Sequence, residues 1–347
     1  MRCPESKDLP DAPPGKAGWP WIEESLRLPD RMEDGRQWPC ISIVTPSYNQ
    51  GQFIEETIRS VLLQGYPNLE YIVIDGGSTD NSPDIIRRYE PWLAYWISEP
   101  DRGQAHAINK GLEHVSGQLF NWINSDDLLA RGALRTLGEA AAFSPGRVIC
   151  GTVISFDGRG CAKEFTNSEL TFENMLHLCP NGSYHQPGVF LPVTVLRDLA
   201  PLDESLSFAM DWDITLRVLR RTSAVTLDSP VARFRTHSAS KTSLQQPLFL
   251  AEICDVVFRY KDCISQPARR EWTRLFAGFT ARAAGRCLLR GRVRTAADQL
   301  LRALRMDAGT SVGTFMGLAA AYAVRRCKSL LRTSPRCVQD PDPERAI

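Results

Sequence analysis

The sequence predicts an α/β fold, a mostly parallel sheet flanked by helices, followed by a helical C-terminal extension. Three observations carry this expectation. From Ile41 onward, short apolar runs of strand length alternate with segments whose apolar residues recur at helical spacing. The strand-like runs end in polar clusters, and strand–helix alternation of this kind implies parallel crossovers in a doubly wound sheet. From about Pro247 to Leu331 the pattern is helical throughout.

Residues 1–39 carry seven prolines and three tryptophans, Trp19, Trp21 and Trp38. The prolines forbid regular structure, while the tryptophans predict an extended arm packed onto the body. Ile41-Ser-Ile-Val-Thr-Pro46 is an apolar strand halted by its proline, and Phe53, Thr57, Ile58, Val61 and Leu62 then mark a helix. Leu69 to Asp75 is a buried strand ending in Gly76-Gly77. Asp80 or Ser82 caps the next helix, with Pro83 in its first turn. Tyr95 to Ser98 is a third strand, Gln104 to Val115 a helix, and Gln118 to Asn124 a fourth strand. Beyond Val148 the order loosens into hairpin and loop over Val148–Phe156 and His185–Leu191. A helix near Asp211–Arg221 and a strand Val231–Arg235 follow. Ala283 to Met306 reads as two helices joined at Gly291. The expected divisions are an arm at 1–39, an α/β domain at 40–245, a basic helical region at 246–335 and a disordered tail at 336–347.

Composition narrows the partners. Of 347 residues, 43% are hydrophobic and 23% charged, which excludes global disorder. The net charge of +1 hides an asymmetry: residues 268–347 hold 16 Lys+Arg against 6 Asp+Glu, leaving 25 against 34 for the rest. An acidic body with a basic tail points to an anionic surface as partner. The ten cysteines form no CxxC pair, so reduced thiols are expected. Met1 to Gly18 has no apolar core of a signal peptide, and no run reaches the roughly 18 apolar residues of a membrane span. The expected location is cytoplasmic, with the basic tail and the short apolar segment Val312–Val324 able to lie at the inner membrane face.

Open α/β sheets bind ligands outside the carboxyl ends of their strands, which is where the polar clusters fall. Asn124-Ser-Asp-Asp127 follows an apolar strand, and its adjacent carboxylates repel unless a cation or hydrogen-bond donors offset them. Mg²⁺ or a similar hard divalent ion suits them, since it takes one or two carboxylates and fills its shell with phosphate oxygens. Helix capping by Asp126 or Asp127 is the alternative. Asp75-Gly-Gly-Ser-Thr-Asp80 offers carboxyl and hydroxyl groups to a ribose or base, or is a plain turn. Glu99-Pro-Asp-Arg-Gly-Gln104 leads into a helix whose first amides attract phosphate, with Arg102 adding charge.

These motifs, with Thr45-Pro-Ser-Tyr-Asn49, Glu56 to Gln64, Ile74 to Asp80, Asn109-Lys-Gly111 and Asn124 to Asp127 in order, make the chain resemble the inverting family 2 glycosyltransferases from about Ile41 to His237. The resemblance implies a GT-A fold, a nucleotide-diphosphate sugar donor, a glycan or lipid-linked acceptor and a divalent cation, Mg²⁺ or Mn²⁺. By position it makes Asp127 the main metal ligand, with Asp126 beside it on the donor sugar or metal. Thr45, Tyr48 and Asp75 would line the nucleoside pocket, and Arg102 and Asn109 would belong to the donor side. Met210-Asp-Trp-Asp213 matches the acidic motif near the acceptor, making Asp211 the expected base with Asp213 its rival. In Arg233-Phe-Arg-Thr-His237, His237 is either a phosphate contact or a further metal ligand. His185-Gln186 falls near the acceptor side. Two departures stand out: Gly76 where many relatives carry a second carboxylate, and Asn124 where many carry Asp.

Other function classes fit less well. A nucleotide-sugar binding protein without catalysis is the nearest alternative, and Asp211 is what separates it from an enzyme. A dinucleotide-binding oxidoreductase would need G-x-G-x-x-G after Ile41–Val44, where Pro46-Ser-Tyr-Asn49 stands instead. The basic tail shows no aromatic stacking pattern, so nucleic acid is not an expected partner.

Overall fold

The computed structural model describes residues 1–157, 162–177, 184–237, 249, 252–263, 266–289, 291, 293–307, 309–312 and 314. The chain divides into two compact units, Met1–Lys261 and Asp262–Ile347. The first unit therefore runs past the boundary expected at 245 and includes a helix at 252–258.

The first unit is built on a nine-stranded sheet in the order β3-β2-β1-β4-β8-β6-β9-β5, with β7 paired to β6. Its parallel half comprises β1 (Ile41–Ser47), β2 (Leu69–Asp75), β3 (Tyr95–Ser98) and β4 (Leu119–Trp122). Both faces of β1, β2 and β4 are covered, which is why they read as continuous apolar runs, whereas β3 at the edge is half-exposed. Helices α1 (Ile54–Leu62), α2 (Ser82–Tyr89) and α3 (Gln104–Leu112) make the crossovers. Gly111 lets α3 close on the sheet, since a Cβ there would lie 2.6 Å from Val44 Cγ1. The chain winds outward from β1 to β3 and returns with β4 on the other side of β1. The strand order reverses between β1 and β4, the place at whose carboxyl ends open α/β sheets generally bind ligands.

The other half mixes directions. It contains β5 (Leu128–Leu129), α4 (Ala133–Phe143), β6 (Val148–Asp157), β7 (Ala162–Phe165), α5 (Phe172–Leu176), β8 (Val189–Pro192), α6 (Val193–Leu196), α7 (Met210–Leu219) and β9 (Ala224–Thr236). We label the helix at 252–258 α8. β9 is longer than the expected Val231–Arg235 because its first half pairs in parallel with the start of β6. Pro230 donates no hydrogen bond to that ladder, and the register shifts where it opposes Thr152. α3 ends three residues before the expected Val115, and β4 stops at Trp122 rather than Asn124. That early stop frees Asn124 to Asp127 to turn.

The N-terminal arm lies against the body as extended chain with one short 3₁₀ turn, Ser6–Asp8. Trp21 and Trp38 are buried, and Trp19 donates its indole N–H to the Leu129 carbonyl at 3.0 Å. Arg59 on α1 holds the arm from inside. Its buried guanidinium donates to the carbonyls of Pro20 (3.1 Å), Pro10 (2.8 Å) and Trp21 (2.9 Å).

In the second unit α9 (Gln266–Leu289) and α10 (Val293–Met306) pack together on either side of Gly291, as expected. Phe276, Ala277, Ala281, Ala284 and Ala303 are buried there. No helix among the described residues is long and apolar enough to cross a membrane. Most of the Val312–Val324 segment, the basic residues Arg325, Arg326 and Lys328 after it, and the expected tail at 336–347 lie outside the described residues.

Candidate active site

At the end of β1 and β2 the loops are laced by short polar side chains. Asp75 is fully buried and accepts hydrogen bonds from the Ser78 N–H (2.9 Å), the Ser78 hydroxyl (2.5 Å) and the Ser98 hydroxyl (2.7 Å). Asn49, in a left-handed conformation, accepts from the Thr79 N–H at 2.9 Å, and the Asn49 N–H donates to the Ser78 hydroxyl. Asp75 is therefore the internal brace of this rim. Thr45 is buried too, and its hydroxyl pairs with the Tyr71 hydroxyl at 3.1 Å. Tyr48 is open to solvent, 59% exposed. Ser47 at the tip of β1 is buried, and its hydroxyl has no partner. Of the expected nucleoside contacts, Tyr48 presents its side chain freely, while Thr45 and Asp75 have theirs engaged within the protein.

Gly76 has a local consequence. A Cβ at this position would lie 2.4 Å from Asp101 Oδ2, so the Asp101 carboxylate sits where a side chain at 76 would project. The other Asp101 oxygen accepts the Gly103 N–H at 2.8 Å, which holds it there. Asp101 is a candidate contact that the motif pattern alone did not single out.

The turn after β4 separates its two carboxylates. Asp127 is buried and accepts the Arg235 backbone N–H at 3.0 Å and the Asn124 side-chain amide at 3.2 Å. Burial, with the neighbouring Asp126 carboxylate adding to it, pushes the Asp127 carboxyl well above the usual carboxylate range. Asp126 is partly exposed, and its Oδ2 lies 3.0 Å from His237 Nε2. The structure thus brings His237 to Asp126, and Asp127 turns inward to brace the turn. Of the two residues expected to hold a metal, His237 therefore meets Asp126, while Asp127 has its carboxylate engaged by Arg235 and Asn124. Asn124, far from being a lost ligand, links Asp127 to Gln104, whose amide donates to it at 2.7 Å.

Arg235 ties this turn down. Its Nε donates to the Asp126 carbonyl at 2.9 Å, its guanidinium pairs with Glu56 at 3.1 Å, and it lies over the rings of Phe53 (4.9 Å) and Phe156 (4.6 Å). Thr57 adds bonds to the carbonyls of Ser125 and Asp127. Arg235 near the end of β9 and His237 just beyond it both reach the turn.

No group of three or more His, Cys, Asp or Glu among the described residues forms a complete cation site. Asp126 and His237 fit a smaller requirement: one carboxylate and one imidazole, with the remaining positions of a divalent ion filled by phosphate oxygens.

The acidic helix start also sorts itself. Asp213 is buried and paired with Arg217 (2.9 Å) and Arg259 (3.3 Å). Burial nonetheless raises its carboxyl above the usual range. Asp211, one residue into α7, is half-buried, and its Oδ1 accepts the Trp212 N–H at 2.7 Å. Asp211 is the more accessible carboxylate of the two.

Arg102 and Asn109, expected on the donor side, both bond to the 202–204 loop. Arg102 forks onto Glu204 at 2.9 and 3.1 Å, and Asn109 exchanges hydrogen bonds with the backbone of Leu202. Both fasten the 202–204 loop, Asn109 from α3 and Arg102 from the turn just before it. His185 packs on Phe165 at 4.2 Å, and burial followed by nearby Lys163 lowers its pKa to about 4. The Gln186 amide bonds to Asn121 and the Trp122 carbonyl, bracing β4.

Residues 42–189 match the glycosyl transferase family 2 profile. The chain carries a glycosyl transferase family 2 domain. An uncharacterized glycosyltransferase of Rickettsia typhi is 26% identical over 220 residues, covering 61% of this chain and 69% of that protein. An uncharacterized glycosyltransferase of Mycobacterium tuberculosis is 42% identical over 90 residues, 26% of this chain, and the chain spans 34% of its length. Among solved structures, S. aureus TarS superposes with a TM-score of 0.57 at 16% identity, over 80% of this chain and 55% of that one. The mannosyltransferase PcManGT of Pyrobaculum calidifontis, in complex with GDP-Man and Mn²⁺, gives 0.53 at 21% identity, over 89% and 84%. At these identities the likeness establishes the glycosyltransferase GT-A fold, a mixed sheet flanked by helices.

Proposed function

We propose that this glycosyltransferase moves a sugar from a nucleoside-diphosphate sugar to an acceptor hydroxyl, with inversion and with help from a divalent cation. The observation that carries the reading is the sorting of carboxylates. Asp126 with His237, and Asp211 on the acceptor-side helix, stay accessible while Asp127 and Asp213 are locked in buried contacts. PcManGT was solved with GDP-Man and Mn²⁺, and TarS with UDP and with UDP-GlcNAc, which supports the donor class.

Asp211 takes the proton of the acceptor hydroxyl as its oxygen attacks the anomeric carbon from the face opposite the diphosphate. The new C–O bond forms as the bond to the departing phosphate oxygen breaks, which inverts the centre. A positioned base of this kind contributes about 10²–10⁴ in rate. Asp126 and His237 would hold a divalent cation, which when bound would supply charge to offset that of the leaving diphosphate. Tyr48, Ser47 and Asp101 line the nucleoside end.

We place the reaction in cell-surface polysaccharide synthesis, on a glycan or lipid-linked acceptor. In support, a Bacillus subtilis protein named for teichuronic acid biosynthesis is 40% identical over 92 residues. The basic C-terminal segment would hold the enzyme at an anionic membrane face in the cytoplasm, which co-sedimentation with liposomes of varied charge tests. The decisive experiment is a screen of nucleotide sugars with Mn²⁺ or Mg²⁺, reading released nucleotide. Tight donor binding with no release in the presence of any acceptor would favour a binding protein instead.

A further inference from the structure

Helix α7 starts without a local cap. Its N-cap residue is Ala209, which has no side-chain oxygen to satisfy the free amides of the first turn. The acceptor comes from α8, more than forty positions along the chain. The Glu252 carboxylate accepts the Ser207 N–H at 2.9 Å on one oxygen, and the N–H groups of Phe208 and Ala209, the latter at 2.6 Å, on the other. One carboxylate thus gathers the amides of three successive residues. They lead straight into Met210 and Asp211.

We propose that Glu252 is a positioning residue for the reaction: it fixes the 207–209 turn and so aims Asp211. This rests on the reading of Asp211 as the base. An amide triplet clamped on a carboxylate has a single geometry, because charge-assisted hydrogen bonds are short and directional. Without it, three amides at the mouth of a helix would seek water, and the turn that carries Asp211 would sample several conformations. The rest of α7 is secured independently. Asp213 is paired with Arg217 and Arg259, and the Thr215 hydroxyl pairs with that of Tyr184 at 3.0 Å. Loss of Glu252 therefore loosens the first turn and leaves the helix body anchored. Misplacement of a reacting group by about 1 Å can cost 10²-fold in rate.

The test is a double-mutant cycle on the full chain, with kcat and donor KM measured for Glu252→Ala, Glu252→Gln, Asp211→Asn and the double variant. Glu252→Ala is expected to lower kcat about 10–100-fold with donor KM within about twofold. Glu252→Gln, which keeps one carbonyl acceptor, should recover part of the loss. In the Asp211→Asn background, Glu252→Ala should cost no further rate, since the group it positions is gone. The folded fraction of every variant is read by calorimetric binding of nucleoside diphosphate. Glu252→Gln serves in place of Glu252→Ala if the latter fails to fold. Wild-type kcat in both Glu252 variants, or an equal further loss in the double variant, overturns the proposal while leaving Asp211 as the base. Wild-type kcat in Asp211→Asn overturns the base assignment itself, and this inference with it.

Discussion

His237 Nε2 and Asp126 Oδ2 stand 3.0 Å apart across 111 positions of sequence, joining the end of the last strand of the sheet to the turn after β4. Asp127, the adjacent carboxylate, turns the opposite way and accepts the backbone N–H of Arg235. Two neighbouring acids of the same motif thus differ, one partly exposed beside an imidazole and one buried in the turn.

Asp126→Ala and His237→Ala are expected to leave the fold intact and to weaken metal-dependent turnover by at least about 10–100-fold, the range seen even for residues one step removed from a metal. Asp127→Ala should instead lower stability by about 1–3 kcal/mol, by leaving the Arg235 N–H buried without an acceptor. Mn²⁺ titration of turnover, beside urea denaturation of each variant, separates the two. Equal metal dependence in Asp126→Ala and the wild type would refute the pair.

Asp211→Asn preserves shape and removes basicity, so kcat should fall about 10²–10⁴-fold with donor affinity unchanged. Asp213→Asn disturbs a buried carboxylate held by Arg217 and Arg259. Its larger effect should be on the melting temperature. A kcat loss at Asp213 exceeding that at Asp211, in protein that melts normally, would reverse the assignment.

Gly76→Ala would place a Cβ 2.4 Å from Asp101 Oδ2 and push that carboxylate aside. If Asp101 reads the nucleoside, both Gly76→Ala and Asp101→Ala should weaken nucleoside-diphosphate binding about tenfold, with little change in fold. A tenfold change is 1.4 kcal/mol, the scale of one hydrogen bond to a charged group. Isothermal calorimetry with UDP and GDP measures it, and unchanged affinity in Asp101→Ala removes Asp101 from the site.

Arg59→Met should detach the N-terminal arm, because three buried or part-buried carbonyls lose their donor at once. At about 1–3 kcal/mol for each orphaned group, the loss is at least about 3 kcal/mol. Chemical denaturation reads the stability, and limited proteolysis should show faster cleavage within residues 1–39. Wild-type stability would mean that the arm is held by its tryptophans alone.

The parallel half of the sheet was legible in the amino-acid order, because local signals specify it. Ile41–Ser47, Leu69–Asp75 and Leu119–Trp122 are apolar runs bounded by turn residues, and the helices between them carry a 3.6-residue period. The polar clusters at their ends were legible for the same reason, and so was the family. The duties within each cluster were not. Asp126 and Asp127 are chemically identical neighbours, and Asp211 and Asp213 are identical acids two positions apart. Which member of a pair is buried depends on residues far away, Arg235 and His237 for the first and Arg259 for the second. The pairing of Arg102 with Glu204 and of Asn109 with Leu202 likewise joins partners about a hundred positions distant. Periodicity and turn chemistry act over a few residues, so the sequence by itself determined the strands, their direction and their reactive ends. Burial and charge pairing arise only when distant segments meet, so the tertiary structure alone decided which carboxylates face the crevice.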